Sequence, residues 1–252
     1  MTFVGQSHPL TSAGIATAAH SMSVGVQEVW TVLGVETSGC GFLPDRRPEI
    51  LYERHLFRQL TGGRFDDGDL SDPSPGGYGA GGAHQYDRLT AAMALDAPAA
   101  VKSTSWGLGQ VLGKNFASAG FTSVDDMVKA MSDSEDAQLS AVSAFILDNR
   151  LDRALKTHDW TSFARGYNGP AFAINHYDVL LRGEFARIST GVLPSLDIRA
   201  AQLYLTFRGF HPGPVDGFVG QRTRSAIVQF QEKNGLARTG LVDDDLLLKL
   251  AV

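Results

Sequence analysis

The chain has 252 residues, 43% of them hydrophobic, enough to bury a full core as one large domain or two. Its net charge of −5 divides into 15 Lys/Arg against 21 Asp/Glu over residues 1–196 and 7 against 6 over residues 197–252, so neither part has the basic excess that nucleic-acid binding demands. The lone cysteine, Cys40, excludes an intramolecular disulfide framework and reads as a small buried residue, and no run approaches membrane-spanning length, which argues against membrane insertion.

The first twenty residues lack a basic start and an uninterrupted apolar stretch, so the expectation is a protein made in a cytoplasm and not exported by a signal of its own. Apolar residues recurring at three and four predict helices at roughly 11–21, 24–36, 85–95, 123–131, 134–149, 160–167 and 171–187, with few and short strand-like runs. The fold is therefore expected to be mainly α. On the helix over 24–36, Val29, Trp30 and Leu33 share one face, and Glu36 lies about 70° from its centre, at the rim of the buried stripe. Glu28 points away from that face and reads as a solvated charge.

Next along the chain, "LYERHLF" places Glu53 in an alternation with Leu51, Tyr52 and His55, as on a strand or strand edge. Glu53 is either a carboxylate entering a cleft or a buried acid paired with Arg54 or Arg58 or held by backbone donors. Residues 62–82, "GGRFDDGDLSDPSPGGYGAGG", read as a long surface loop, on which Asp66, Asp67 and Asp69 are weak candidates for chemistry because acids there are usually solvated. "STSWGLGQVLGKN", residues 103–115, reads as a loop entering a helix, with Trp106 assigned to the core, and "ARGYNGPAF", residues 164–172, ends a helix in Tyr-Asn-Gly.

"STGVLPS", residues 189–195, interrupts the helical pattern and divides the chain into a domain over 1–190 and a smaller one over 196–252. In the smaller domain Ser195 is placed to cap a helix carrying Ile198, Ala201, Gln202 and Leu205. A second helix carries Ala226, Ile227 and Phe230 and stops at Gly235, and Asp243 to Asp245 open a third. The segment "GFHPGPVDGFVGQRTRSAIVQFQEKNGL" resembles the peptidoglycan-binding domain of bacterial and phage wall hydrolases, over almost the whole of this three-helix bundle. Asp216, Arg222 and Thr223 are the residues of it assigned to wall contact, although for Asp216, with Gly217, a purely structural turn is the favoured reading.

A carboxyl at the rim of an apolar surface has its charged form desolvated, which raises its pKa and suits it to donate a proton to a departing glycosidic oxygen. The series of "VETSG", "STSWGLGQ" and "YNG" resembles that shared by goose-type lysozymes and lytic transglycosylases, with Thr37 inserted in the first element. Residues 1–190 resemble more closely still the N-acetylmuramidase domain of modular phage endolysins, through "VETSGCGFLPDRRPEILYERHLF", "GGYG" and "STSWGLGQVLG". The resemblance implies a lysozyme-like, two-lobed catalytic domain with a small β-hairpin region and Glu36 as the catalytic acid; the alternation in "LYERHLF" makes Glu53 the candidate second carboxylate, facing Glu36 across the cleft. Saccharide faces suit aromatic platforms flanked by amides and backbone groups, which makes Tyr78, Ser105, Gln110, Tyr167 and Asn168 the candidate substrate contacts; the resemblance places Gln110, Tyr167 and Asn168 in the cleft.

The seven histidines form no H-E-x-x-H or H-x-x-E-H pattern, and the chemistry expected needs no metal or other cofactor. The reading is a monomeric endolysin acting on peptidoglycan, made in the host bacterial cytoplasm and, by the resemblance, released through a holin. The alternatives are a lytic transglycosylase using the same Glu36 without water, and a wall-binding protein without catalysis.

Overall fold

Side chains that accept hydrogen bonds from the third residue onward set where several helices begin. Thr11, Ser123, Ser134 and Asp159 cap α1 (Ser12–Met22), α5 (Val124–Asp133), α6 (Glu135–Asp148) and α8 (Trp160–Asn168) in this way. With α2 (Val26–Glu36), α3 (Arg54–Leu60), α4 (Ala83–Lys102), α7 (Asp152–Lys156) and α9 (Tyr177–Thr190), these make up the larger part of the chain. The computed structural model describes residues 3–36 and 39–251, and at Glu36 and Ala171 the backbone alone. A three-stranded antiparallel sheet, β1 (Ile50–Tyr52), β2 (Thr104–Trp106) and β3 (Val111–Leu112), completes the larger domain, so the expected mainly α fold with a small hairpin region holds.

The core gathers Val29, Trp30, Val32 and Leu33 of α2 with α1, α6 and α9, and on the sheet side Ile50, Tyr52 and Trp106. Trp106 is fully buried and donates through Nε1 to the carbonyl of Val101. α10 (Leu196–Phe207), α11 (Gln221–Lys233) and α12 (Asp244–Ala251) form the three-helix bundle around Ala201, Leu205, Ala226, Ile227, Phe230, Leu246 and Leu250. Ser195 caps α10 by accepting from the Ile198 amide, and Asp243 does the same for Leu246. No helix among the described residues is long and apolar enough to cross a membrane.

Several expectations are corrected. α3 replaces the strand expected to run on through His55, because Glu53 in extended conformation ends β1 and the Leu56–Phe57 pair then buries helically. Residues 103–112 form the β2–β3 hairpin rather than a loop entering a helix, and only one 3₁₀ turn, Gly113–Asn115, follows. The helix expected to end at 95 does break there, since Asp96 leaves helical φ/ψ; what was not expected is the second short helical stretch to Lys102 that follows, which the Asp96 carboxylate caps at the Ala99 amide, one residue past Pro98. The helix expected over 171–187 divides at His176, which has φ 54°, into a 3₁₀ segment, Pro170–Asn175, and α9. Glu28 is not a free solvated charge: its Oε1 lies 2.7 Å from His158 Nε2.

Candidate active site

α2 buries one face and ends at Glu36, whose side chain lies outside the described residues, as do Thr37 and Ser38 of the same motif. The chain that follows is held closely. Gly41 donates to Glu135 Oε1 at 2.8 Å, and its carbonyl accepts from Gln138 Nε2 at 3.2 Å and from the Glu49 amide at 2.8 Å. Gln138, fully buried one turn after Glu135 on α6, also donates to Met131 O at 2.7 Å and accepts from the Leu108 amide at 2.7 Å. One side chain thus joins the segment leaving Glu36 to the β2–β3 turn. Glycine is required on both sides of it, since a Cβ at 41 would stand 1.7 Å from Gln138 Oε1 and one at 107, where φ is +66°, 2.6 Å from its Cδ.

The residues from Pro48 to Glu53 alternate buried and half-buried, so Glu49, Leu51 and Glu53 share the outer face of β1, beside Ser105 and Leu112 in the next strands. Glu53 keeps only 14% of its side chain exposed. Its Oε1 accepts from the Tyr78 hydroxyl at 3.3 Å, and His55 Nδ1 lies 3.2 Å from Oε2. Burial pushes the Glu53 carboxyl above the ordinary glutamate range, opposed by His55 and by the Tyr78 hydrogen bond. Of the alternatives open for Glu53, a pairing with Arg54 or Arg58 is not the one adopted, because those guanidiniums turn to the loop: Arg54 to Gly68 O at 2.6 Å and Arg58 to Phe65 O at 3.1 Å. Glu49 too is pushed up by burial and by the negative charge of Asp45.

Tyr78 reaches Glu53 from the 62–82 loop, which is pinned where it passes α4. Gln85 Nε2 donates to the carbonyls of Tyr78 and Ala80, and the buried Arg88 donates to those of Tyr78 and Asp69. Asp66 is fully exposed, while Asp67 closes a local turn onto the Asp69 and Leu70 amides and Asp69 pairs with Arg88, so the loop acids serve the loop.

At the hairpin end, Gln110 adopts φ +48° and spends its Nε2 on the carbonyls of Gly107 and Glu49. Tyr167 of α8 donates to Gly109 O at 2.9 Å, stacks on Phe163 and meets Phe145 edge-on. Asn168 is the next and last residue of α8. Glu36, Glu53, Tyr78, Ser105, Gln110 and Tyr167 therefore come from elements that the sheet and Gln138 tie together. Glu49, Glu135 and Gln138 escaped the sequence reading. The two-residue alternation was a signal for Glu49, and a Glu and Gln three positions apart on the face of a helix that otherwise carries Leu139, Val142 and Ile146 was a signal for the other two.

In the small domain, Gln202 organises the turn after α10, donating to Asp216 Oδ1, Phe218 O and Thr223 Oγ1 and accepting from the Asp216 and Gly217 amides. Thr223 is 2% exposed and donates to Pro212 O, and Asp216 Oδ1 also accepts from the Phe218 amide. The assignment of wall contact to Thr223 is thereby corrected, since its hydroxyl is committed inside the domain, and Asp216 serves the turn. Arg222 is exposed, beside a surface cavity of about 460 Å³ lined by Thr206, Phe210, His211, Pro212 and Gly213.

The sequence pattern of the N-acetylmuramidase family matches residues 25–189, and that of the peptidoglycan-binding domain matches residues 194–250. The chain is similar to the crystal structure of the Burkholderia AP3 phage endolysin, with 40% identity, 72% of this chain and 71% of that chain covered, and a TM-score of 0.67. No curated protein matches. The matched stretch runs from the start of α2 through the sheet to the end of α9 and so contains every element that builds the site, which places the chain in the N-acetylmuramidase family, with a peptidoglycan-binding domain at its C-terminal end.

Proposed function

We propose that the chain is a phage endolysin that hydrolyses the β-1,4 bond from N-acetylmuramic acid to N-acetylglucosamine in peptidoglycan, with residues 1–190 carrying the chemistry and 196–252 the wall anchor. The observation that carries this reading is the family match across residues 25–189, with Glu36 ending α2 and the desolvated Glu53 inside the same stretch. Glu36, protonated, donates its proton to the glycosidic oxygen as the bond to C1 of muramic acid breaks. Glu53 takes a proton from a water whose oxygen bonds to C1, leaving a free reducing end. A raised pKa brings Glu53 closer to the working pH, where general bases are most effective. Tyr78, Ser105, the Gln110 carbonyl, Tyr167 and Asn168 line the path of the glycan, and Arg222 is the wall contact retained in the small domain. The protein acts as a monomer after release from the host cytoplasm through a holin.

Digestion of purified peptidoglycan, borohydride reduction and mass measurement test the bond and the chemistry together, because only a free reducing end takes up hydrogen. Reduced muramic acid ends are expected, and a digest dominated by anhydro ends would overturn the hydrolase in favour of a transglycosylase. Glu36→Gln should lower turbidity clearance at least about 10²-fold with normal thermal unfolding. Activity within a few-fold of the parent removes Glu36 from the role of acid.

A further inference from the structure

Arg199, on α10, reaches out of the small domain into the large one. Its Nη1 donates to the carbonyls of Gly39 and Val215, and its Nη2 lies 2.6 Å from Glu135 Oε1. Both side chains are withdrawn from water, with 5% of Arg199 and none of Glu135 exposed. Glu135 also accepts from the Leu10 amide at 3.0 Å and, as above, from that of Gly41. Gly39 and Gly41 lie just beyond Glu36 in sequence, and the chain at 39–41 is held by α6 from its own domain and by a guanidinium from the other. Around this contact Phe42, Leu203 and Val215 bury one another, and Arg46 stands 4.9 Å over the ring of Phe207. A cavity of about 420 Å³ opens beside it, lined by Leu33, Gly34 and Gly39 from one domain and Pro214, Val215 and Phe218 from the other.

A desolvated ion pair is costly to break from one side, and a planar guanidinium can satisfy a carboxylate and two carbonyls at once where an ammonium acts as a point charge. We propose that Arg199 is a positioning residue for the acid step: by fixing the Gly39 carbonyl it holds the end of α2, and with it Glu36, so that the small domain completes the catalytic centre as well as anchoring the enzyme. The proposal rests on Glu36 being the acid.

The test is kcat and KM of the full chain on short soluble glycan fragments. Arg199→Lys keeps a positive charge opposite Glu135 but cannot hold both carbonyls. It is expected to unfold near the parental temperature and to lose about 10-fold in kcat, with KM within about twofold, since small misplacements of a reacting group are expensive. Leu203→Ala loosens the same interface without touching the Gly39 carbonyl and should keep kcat within about twofold. The double variant Glu135→Gln with Arg199→Met leaves no buried charge unpaired, keeps an amide oxygen to accept from the Gly41 amide, and supplies the same comparison if the lysine variant does not fold. Parental kcat in the folded Arg199 variant, or an equal kcat loss in Leu203→Ala, overturns the positioning role. An active Glu36→Gln in the same assay overturns the acid reading and this proposal with it, whereas an inactive Glu36→Gln beside a fully active Arg199 variant removes the positioning role alone.

Discussion

Replacing Gln138 with leucine removes a buried amide while roughly keeping its volume. Three partners lose their hydrogen bonds: the Leu108 amide and the carbonyls of Gly41 and Met131. The Leu108 amide and the Met131 carbonyl are left unsatisfied at about 1–3 kcal/mol each, and the Gly41 carbonyl, which keeps the Glu49 amide, loses one of its two bonds at about 0.5–1.5 kcal/mol, so the loss is about 2.5–7.5 kcal/mol, against a gain of about 1.5–3 kcal/mol from burying an apolar side chain. The midpoints of the two ranges leave a net destabilisation of about 3 kcal/mol, a large part of the roughly 5–15 kcal/mol typical of a folded domain. For a chain of this size it corresponds to a Tm lowered by roughly 6–12 °C. Urea unfolding of the full chain, compared through the midpoint at constant slope, measures the difference, and kcat on soluble glycan should fall as well because the Glu36 segment and the β2–β3 turn lose their shared tie. A loss under about 1 kcal/mol, or parental kcat in the folded variant, would show that Gln138 does not join the two walls of the site.

Glu53→Gln should lower activity about 10²-fold or more. Burial holds the Glu53 pKa above its ordinary value of 4.5, so its contribution to stability is fully present below that value and is lost as pH rises through the folded one. The amide variant should therefore be at least as stable as the parent at pH 7 and lose that advantage near pH 4, and urea unfolding showing it less stable at pH 7 would contradict the burial argument. A fragment ending at residue 193 leaves Glu135 without Arg199 and uncovers Phe42; calorimetry should show its Tm below that of the larger domain in the full chain, and an unchanged Tm would mean the domain contact contributes nothing. Thr223→Val should destabilise the small domain by about 1–2 kcal/mol through the lost bond to Pro212 O, whereas Arg222→Ala should weaken co-sedimentation with purified wall and leave Tm unchanged. The opposite pattern would return wall contact to Thr223.

Most helices were legible because burial of one face imposes a three-and-four recurrence on residues that are neighbours in sequence, and because caps such as Ser195 and Asp243 act within one turn. Short elements were not: α3 and α7 hold one or two turns, too few to establish a period, and the strands around Ser105 have two or three residues. The "VETSG" and "STSWGLGQ" motifs could be found as local patterns, whereas the surroundings of Glu53 could not, because Tyr78 comes from a loop whose path depends on Arg88 and Gln85 of α4. By itself the sequence determined the mainly helical fold class, a consequence of composition and short-range periodicity, and it offered the break near residues 189–195 and, through the resemblance its motifs carry, Glu36 as the candidate acid. Tertiary structure alone decided that Glu135 and Gln138 hold the segment after Glu36, that Thr223 faces inward and that Arg199 crosses between domains. Those contacts join residues from eleven to well over a hundred positions apart, and burial and hydrogen bonding at such separations leave no period in the chain.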